Sequence, residues 1–253
     1  MYRGEVMHFH VISLRGPLAR LFLLVSALLL AALLVNPRML HATGSGEQQP
    51  IPVYRVETTK RAMALTINVV WGTEYVPTLL NELKSHHVVA TFMVGGAWAS
   101  AHPDLVRQMQ KAGDEIGNHG WNHQHPNQLS LAANLDDMER TNQAVKQICG
   151  IRPSVYAPPY GEFNRTVLRA AETAHMTLVM WTIDTIDWRP SSSVSYMVNK
   201  VLTKAAAGSL VLMHPTDRTV LALPRIIEGL QQRGYTLVTA SQLFTLGTPR
   251  TDS

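Results

Sequence analysis

The sequence predicts an α/β fold in which helices cover a parallel sheet. The chain has 253 residues, 46% of them hydrophobic, so it can bury one sizeable core as a single domain. Short apolar runs alternate with amphipathic helical segments about seven times along the chain. Polar residues gather where the apolar runs end, which is the edge where parallel α/β folds assemble their sites.

The predicted elements begin at residue 63 and follow one another to the end of the chain. The strand and helix segments are, in order, MALTINVV and EYVPTLLNELKSH, VVATFMV and PDLVRQMQKAG, EIGNH and LAANLDDMERTNQAVKQIC, SVYAPP and RTVLRAAETAH, TLVMWTI and VSYMVNKVLTKAAA, SLVLMH and LPRIIEGLQQRG, and a closing TLVTASQLF. An open doubly wound sheet and a barrel both fit this alternation.

The amino-terminal part has a different composition. Residues 1–17 form a short basic segment, residues 18–36 contain the apolar run LFLLVSALLLAALLV, and residues 37–57 form a Gly/Ser/Gln/Pro linker. The run is short for a membrane span, so it is either a cleaved signal peptide or an uncleaved signal anchor. The poor match to a cleavage site favours the anchor. We expect a secreted or membrane-anchored protein whose domain, residues 58–247 with a tail at 248–253, lies outside the cytoplasm.

Charge and cysteine content exclude several classes of protein. The formal net charge is +4, but Lys and Arg are scattered and form no dense run, so nucleic acid is not an expected partner. The single cysteine, Cys149, excludes an intrachain disulfide framework and a cysteine-based zinc cluster. A metal site in this chain must therefore use His, Asp or Glu.

The segment IGNHGWNHQHP carries three histidines. His119 and His123 are four residues apart, a spacing that suits two ligands of one metal ion. This pattern alone is weakly specific, and a solvated polar loop is the alternative. His125 is either a further ligand or a residue that caps the loop before Pro126.

Two further segments place acidic and imidazole groups at strand ends. TIDTIDW contains Asp184 and Asp187, and LVLMH ends at His214. A buried carboxylate beside an imidazole can keep the ring protonated and so produce a general acid, although Asp184 also suits a turn cap. Trp188 and Leu212 are either core residues or the walls of a small apolar pocket.

Taken in order, TINVV, HGWNH, APPY, DTIDW and LMH resemble the five motifs of the polysaccharide deacetylase family, the NodB-homology domain of the carbohydrate esterases. The resemblance covers about residues 61–244. It implies a distorted (β/α)7-type barrel and metal-dependent removal of acetyl groups from N-acetylated sugars, such as those of peptidoglycan or chitin-like glycans. INVVWG is similar to a subgroup from spore-forming bacteria that is associated with sporulation or the cell wall.

The resemblance also implies roles for individual residues. His119 and His123 would bind a divalent metal, with zinc expected and cobalt or nickel as alternatives. Tyr160 would donate its backbone N–H to the oxyanion, and Asp187 would tune His214 as the general acid.

Substrate contacts follow from the same resemblance. Trp188 and Leu212 would hold the acetyl methyl group, and Pro159 would lie against the substrate. The implied partner is an N-acetylated glycan.

Four positions depart from the family pattern. Asn68 stands in place of the general-base aspartate, Val69 in place of a metal-binding aspartate, Ala157 in place of the arginine that contacts the base, and Gly120 in place of Ser or Thr. Losing the carboxylate and the arginine together avoids a stranded buried charge. An asparagine amide cannot take a proton from water, so the base function is absent at position 68.

Three hypotheses remain open from the sequence, and one of them is a different hydrolase chemistry or a partner-binding scaffold at the membrane. The first is a deacetylase-type hydrolase, acting on carbon–nitrogen bonds other than peptide bonds, with low activity and with Glu74 or Asp184 as substitute base. The second is a catalytically inactive wall or sporulation protein that binds glycan on the same fold.

Overall fold

The computed structural model describes residues 50–252, so the predicted basic segment, the apolar run and most of the linker lie outside it. Its strands are β1 Arg55–Glu57, β2 Ala62–Val69, β3 Thr91–Val94, β4 Glu115–Asn118, β5 Val155–Tyr156, β6 Thr177–Leu178, β7 Ile183–Asp184, β8 Leu210–Met213, β9 Thr236–Val238 and β10 Thr248–Arg250. Its helices are α1 Val76–Ser85, α2 Gly96–Ala101, α3 Pro103–Lys111, α4 Leu131–Cys149, α5 Arg165–Thr173, α6 Val194–Lys204, α7 Asp217–Gln232 and α8 Ala240–Phe244.

The main sheet is parallel and curled, which confirms the predicted α/β class. Its strand order is β6-β5-β4-β3-β2-β8-β7, with β9 beside the start of β2. The two end strands, β6 and β7, are joined by residues 179–182 alone, a connection that spans at most about 18 Å. The sheet edges must therefore approach each other, although no ladder joins them within residues 50–252. The run TLVMWTI, predicted as one strand, is divided between these two edges.

The central strand β2 separates two apolar layers. All eight of its residues are buried. Its odd-numbered residues, 63–69, pack in one cluster with α1 and α7, whereas Ala62 and Ala64 pack in a second cluster inside the curl. Since alternate side chains of a strand point to opposite faces, Asn68 lies on the inner face and Val69 on the outer face.

The folded region extends past both predicted domain boundaries. Residues 55–57, assigned to the linker, and residues 248–250, assigned to the tail, form the antiparallel pair β1 and β10. Val56 is fully buried, and its N–H donates to the Gly208 carbonyl at 2.9 Å. Local pattern did not indicate this pair because its partners are nearly 200 residues apart in the chain.

Nothing within residues 50–252 combines the length and the apolar character that a membrane-spanning helix needs.

Candidate functional site

A pocket of about 370 Å³ opens where the strands of the curled sheet end. We call it the main pocket. It is lined by Asn68, Trp71, His119, His123, Tyr160, Gly161, Trp181, Asp184, Trp188, Leu212 and His214. The structure thus brings the histidine pair and His214 to one pocket, as the sequence predicted.

The histidine pair is held in its neutral form. His119 follows β4, is 1% exposed, and donates from Nδ1 to the Ala157 carbonyl at 2.7 Å, which leaves Nε2 free. Burial is the main cause that lowers the His119 pKa to about 3, with smaller contributions from His123 and His214. Burial, then His214 and His125, lower the His123 pKa. Neutral imidazole is the form that binds metal ions.

The side chains present do not complete a catalytic zinc site. Among residues 50–252, no group of three or more His, Cys, Asp or Glu side chains is placed to hold a metal ion. His125 instead contacts Glu162 at 3.1 Å and stacks on Tyr160 with ring centroids 4.0 Å apart. Val69 is fully buried in the outer cluster and does not line the pocket. Catalytic zinc usually has three protein ligands, so the two imidazoles alone do not fit it.

Asn68 presents an unpartnered polar atom to this side of the pocket. The residue is 4% exposed, and its Oδ1 has no hydrogen-bond partner among the described residues. Ala157, where the resemblance places an arginine, packs in the inner apolar cluster. This side of the pocket therefore contains neither a proton acceptor of carboxylate type nor a cation to orient one.

A second group of residues at the pocket, Asp187 and His214, which we call the acid side, contains a carboxylate whose two oxygens both accept hydrogen bonds. Asp187 is completely buried, and its Oδ1 accepts from His214 Nδ1 at 2.8 Å. Its Oδ2 accepts from the His214 backbone N–H at 2.5 Å and from the Thr219 hydroxyl at 2.7 Å. Arg218 donates to the Asp187 carbonyl at 2.8 Å. Because Nδ1 is engaged, Nε2 of His214 is the atom available to deliver a proton to a ligand.

Three exposed aromatic residues surround the pocket. Trp71 is 47% exposed and stacks on His214, with ring centroids 5.7 Å apart. Trp188 and Tyr160 are exposed as well. Tyr160 has φ of 59°, a left-handed conformation that costs a non-glycine residue energy, and among residues 50–252 its N–H meets no protein acceptor. An exposed, strained N–H of this kind suits an oxyanion, and that role stays a prediction.

Of the remaining predicted residues, one lines the main pocket and two do not. Asp184 lines the pocket, with Oδ1 accepting from the Ile186 N–H at 2.7 Å. Glu74 does not line it, because its carboxylate accepts from the Thr73 N–H at 2.8 Å, so its proposed role as substitute base has no geometric support. Pro159 is buried in the turn before Tyr160 and is not a lining residue.

Two tryptophans of the pocket, Trp71 and Trp181, were not predicted from the sequence. Trp71 follows the end of β2 by two residues, so the rule that strand ends carry sites would have found it. Trp181 lies inside the run TLVMWTI, whose apolar character indicated a core strand.

A family model and several known proteins are similar to this chain. Residues 55–179 match the family model described as polysaccharide deacetylase. The uncharacterized protein YlxY of Bacillus subtilis is 39% identical over 78% of this chain and 61% of its own length. A peptidoglycan-N-acetylglucosamine deacetylase of Bacillus cereus is 31% identical over 73% of this chain and 69% of its own length.

A solved structure shares the fold. BA3943 of Bacillus anthracis, described as a CE4 family pseudoenzyme, superposes with a TM-score of 0.74 at 36% identity, over 77% of this chain and 69% of its own. A mutant of BA3943 described as having restored enzymatic activity gives the same TM-score at 34% identity. The chain thus spans about three fifths of YlxY and about two thirds of BA3943.

Proposed function

Because the chain belongs to the polysaccharide deacetylase family, we propose that its main pocket binds an N-acetylated cell-wall glycan and hydrolyses the acetamide only slowly. One observation carries this proposal. Asp187 accepts a hydrogen bond from His214 Nδ1, which suits a general acid, whereas the pocket offers only the neutral amide of Asn68 at the expected position of the base and an incomplete metal site among the described residues.

We expect slow hydrolysis because of the two proton transfers that the cleavage of an amide requires. The attacking water must lose a proton, and the leaving nitrogen must gain one. In this proposal His214 Nε2 protonates the nitrogen, and the Tyr160 N–H binds the oxyanion of the tetrahedral intermediate. Asn68 cannot accept the proton from water, and general-base assistance is typically worth about 10²–10⁴ in rate. Asp184, the remaining carboxylate of the pocket, already accepts a backbone N–H.

The pocket suits a sugar. Its volume of about 370 Å³ is in the range of small-ligand sites. Trp71, Tyr160 and Trp188 present exposed aromatic surface, which can pack against the apolar C–H face of a pyranose ring. The peptidoglycan sugar in the name of the Bacillus cereus relative supports an N-acetylated wall glycan as the ligand class.

The likeness to BA3943 supports slow turnover. That protein is described as a pseudoenzyme, and a mutant of it as active again, so this fold tolerates the loss of activity. We further propose that the domain works outside the cytoplasm, secreted or held at the membrane through residues 18–36, because wall glycan lies there.

The experiment measures binding and turnover on the same purified full-length chain. Tetrameric N-acetylglucosamine is titrated into it, and acetate release is followed with zinc, cobalt or nickel added. We expect binding, together with acetate release at least about 100-fold slower than from the Bacillus cereus relative. Release at the rate of that relative would contradict slow hydrolysis, and failure of any N-acetylated glycan to bind would contradict the proposed ligand.

A further inference from the structure

The lysines of residues 50–252 all lie at one end of the fold. They are Lys84, Lys111 and Lys146 in the last turns of α1, α3 and α4, Lys200 and Lys204 near the end of α6, and Lys60 in the loop before β2. Because each helix runs back against the parallel strands, these positions are at the end of the sheet where the strands begin. We call this end the strand-start face, and the main pocket lies at the opposite end.

The charges of these lysines have no internal partner. Among the described residues no lysine forms a salt bridge, and all six except Lys200 are exposed. Three carboxylates of the strand-start face are paired with arginines instead, as Glu57–Arg250, Asp252–Arg55 and Glu139–Arg152. Glu172, at the end of α5, adds one exposed carboxylate, which five exposed lysines outnumber. The strand-start face is therefore cationic.

The other end of the fold has the opposite pattern. Asp104 and Asp217 lie in the first turns of α3 and α7, and no lysine of residues 50–252 is placed there. Helix dipoles favour cations at the last turn and anions at the first, which accounts for part of this separation. Lys60 belongs to no helix, so the dipole does not explain its position.

The chain enters the fold at the strand-start face. The Val53 N–H donates to the Leu178 carbonyl at 2.8 Å, and Val53 pairs in parallel with Val179 beyond the end of β6. Residues 50–52 therefore lead back toward the start of β6. From there, residues 36–50 can span at most about 50 Å to the apolar run seen in the sequence.

We propose that the strand-start face docks on an anionic lipid surface, which turns the main pocket away from the bilayer. This goes beyond the proposed function and rests on its placement of residues 18–36 at the membrane. Each lysine near an anionic bilayer strengthens binding about fivefold, and a short tether raises the local concentration of the face at the lipid. A phosphate-bearing wall polymer has the same charge, but the entry of the chain at this face favours the lipid.

The test places the full-length chain in vesicles of phosphatidylcholine, with or without phosphatidylglycerol. A membrane-impermeant reagent acetylates the accessible amines, and mass spectrometry gives the rate at each lysine. We expect about 3- to 10-fold slower acetylation in the anionic vesicles at the five exposed lysines, Lys60, Lys84, Lys111, Lys146 and Lys204. High salt should restore the rates, because it screens the attraction.

A reporter at the other end of the fold is the matched control. Asn127→Lys adds an exposed amine in the loop after β4, at the end of the sheet that carries the main pocket. Its acetylation rate should be the same in both kinds of vesicle. Protection of this amine together with the five lysines would mean that the anionic vesicle repels the reagent everywhere, and it would overturn the docking face.

Charge variants test whether the lysines cause the docking. The variant Lys60→Gln, Lys84→Gln, Lys111→Gln, Lys146→Gln leaves Lys204 as the reporter, which should lose its protection. Arg165→Gln with Arg189→Gln removes exposed cations from the other end and should keep that protection.

The outcomes separate this proposal from the proposed function. Equal rates in both vesicles overturn the docking face, and glycan binding in the main pocket can still be measured on the same sample. Protection that appears only when a glycerol phosphate polymer is added to phosphatidylcholine vesicles overturns the lipid partner and identifies a wall polymer instead. Protection in the anionic vesicles alone, lost in high salt and in the lysine variant, supports the proposal.

Discussion

The two sides of the main pocket differ in how their buried polar atoms are partnered. On the acid side, both carboxylate oxygens of Asp187 accept hydrogen bonds from His214 and Thr219. At the end of β2, the buried Asn68 Oδ1 has no partner among the described residues. The buried carboxylate of Asp187 is thus surrounded by donors, whereas the buried amide oxygen of Asn68 meets none among the described residues.

The many hydrogen bonds of Asp187 give it a role in stability that does not depend on catalysis. Removing a buried carboxylate alone would strand the donors that face it, which costs about 1–3 kcal/mol for each group. The stability of the fold is therefore sufficient reason to keep Asp187, with or without catalysis. The presence of Asp187 and His214 does not by itself show an active enzyme. The expected rate of hydrolysis depends on whether the pocket contains a base at position 68.

The largest expected effect comes from restoring a carboxylate base and its partner cation beside the histidine pair of the main pocket. The double variant Asn68→Asp, Ala157→Arg is expected to speed acetate release by about 10²–10⁴, because it supplies a base together with a cation to orient it. The control is the same variant with His214→Ala, which should lose the gain. Val69→Asp is not part of this variant, because Val69 packs in the outer cluster and a carboxylate there would be buried without a partner. No gain in rate would show that a carboxylate at position 68 does not act as the base.

Breaking the partnered side should cost stability. Asp187→Ala leaves the His214 and Thr219 donors without an acceptor, and we expect the free energy of unfolding to fall by about 3–5 kcal/mol. Urea denaturation measures it. Asp136→Ala, which removes an exposed carboxylate, is the control and should change stability by less than about 0.5 kcal/mol. A loss at Asp187 no larger than at Asp136 would refute the structural role of the acid side.

Asp114, a buried carboxylate outside the main pocket, tests how incomplete hydrogen bonding of a carboxylate affects stability. Asp114 is 6% exposed; its Oδ1 accepts from the Ala90 N–H at 2.8 Å, and its Oδ2 has no partner among the described residues. Burial raises its pKa to about 6. Since the native state binds this proton more tightly than the unfolded state, the stabilisation is complete below about pH 4 and is lost as the pH rises through 6.

The Asp114→Asn variant should remove this pH dependence. It keeps the acceptor for Ala90 and carries no charge, so its stability relative to the wild type should increase by about 2 kcal/mol between pH 4 and pH 8. Denaturation at both pH values measures the difference, with Asp136→Asn as the exposed control. A difference that does not depend on pH would show that Asp114 ionises normally.

The smallest expected effect is at the unpartnered amide. Asn68→Leu removes an unsatisfied polar group, and we expect the free energy of unfolding to stay within about 1 kcal/mol of the wild type or to rise. Thr66→Val is the matched change on the same strand face, and it loses the hydrogen bond from the Thr66 hydroxyl to the Val211 carbonyl. A larger cost at position 68 than at position 66 would mean that Asn68 is not an unpartnered group.

The sequence by itself determined the alternation of strands and helices and the segments that follow the strand ends. These features depend on local periodicity, in which apolar spacing distinguishes β2 from α1 without knowledge of the rest of the chain. Strand ends of a parallel sheet meet at one edge, so His119, His123 and His214 were expected in one place. The family followed from the order of five short motifs.

Only the tertiary structure decided how those residues are partnered. Asp187 bonds to residues 27 and 32 positions away, and β1 pairs with a strand nearly 200 residues later. The orientation of Val69 into the outer cluster and the missing partner of Asn68 likewise depend on neighbours from separate strands. Local patterns specify which face of an element is apolar; long-range packing specifies which polar atoms meet, because hydrogen bonding requires contact within about 3 Å.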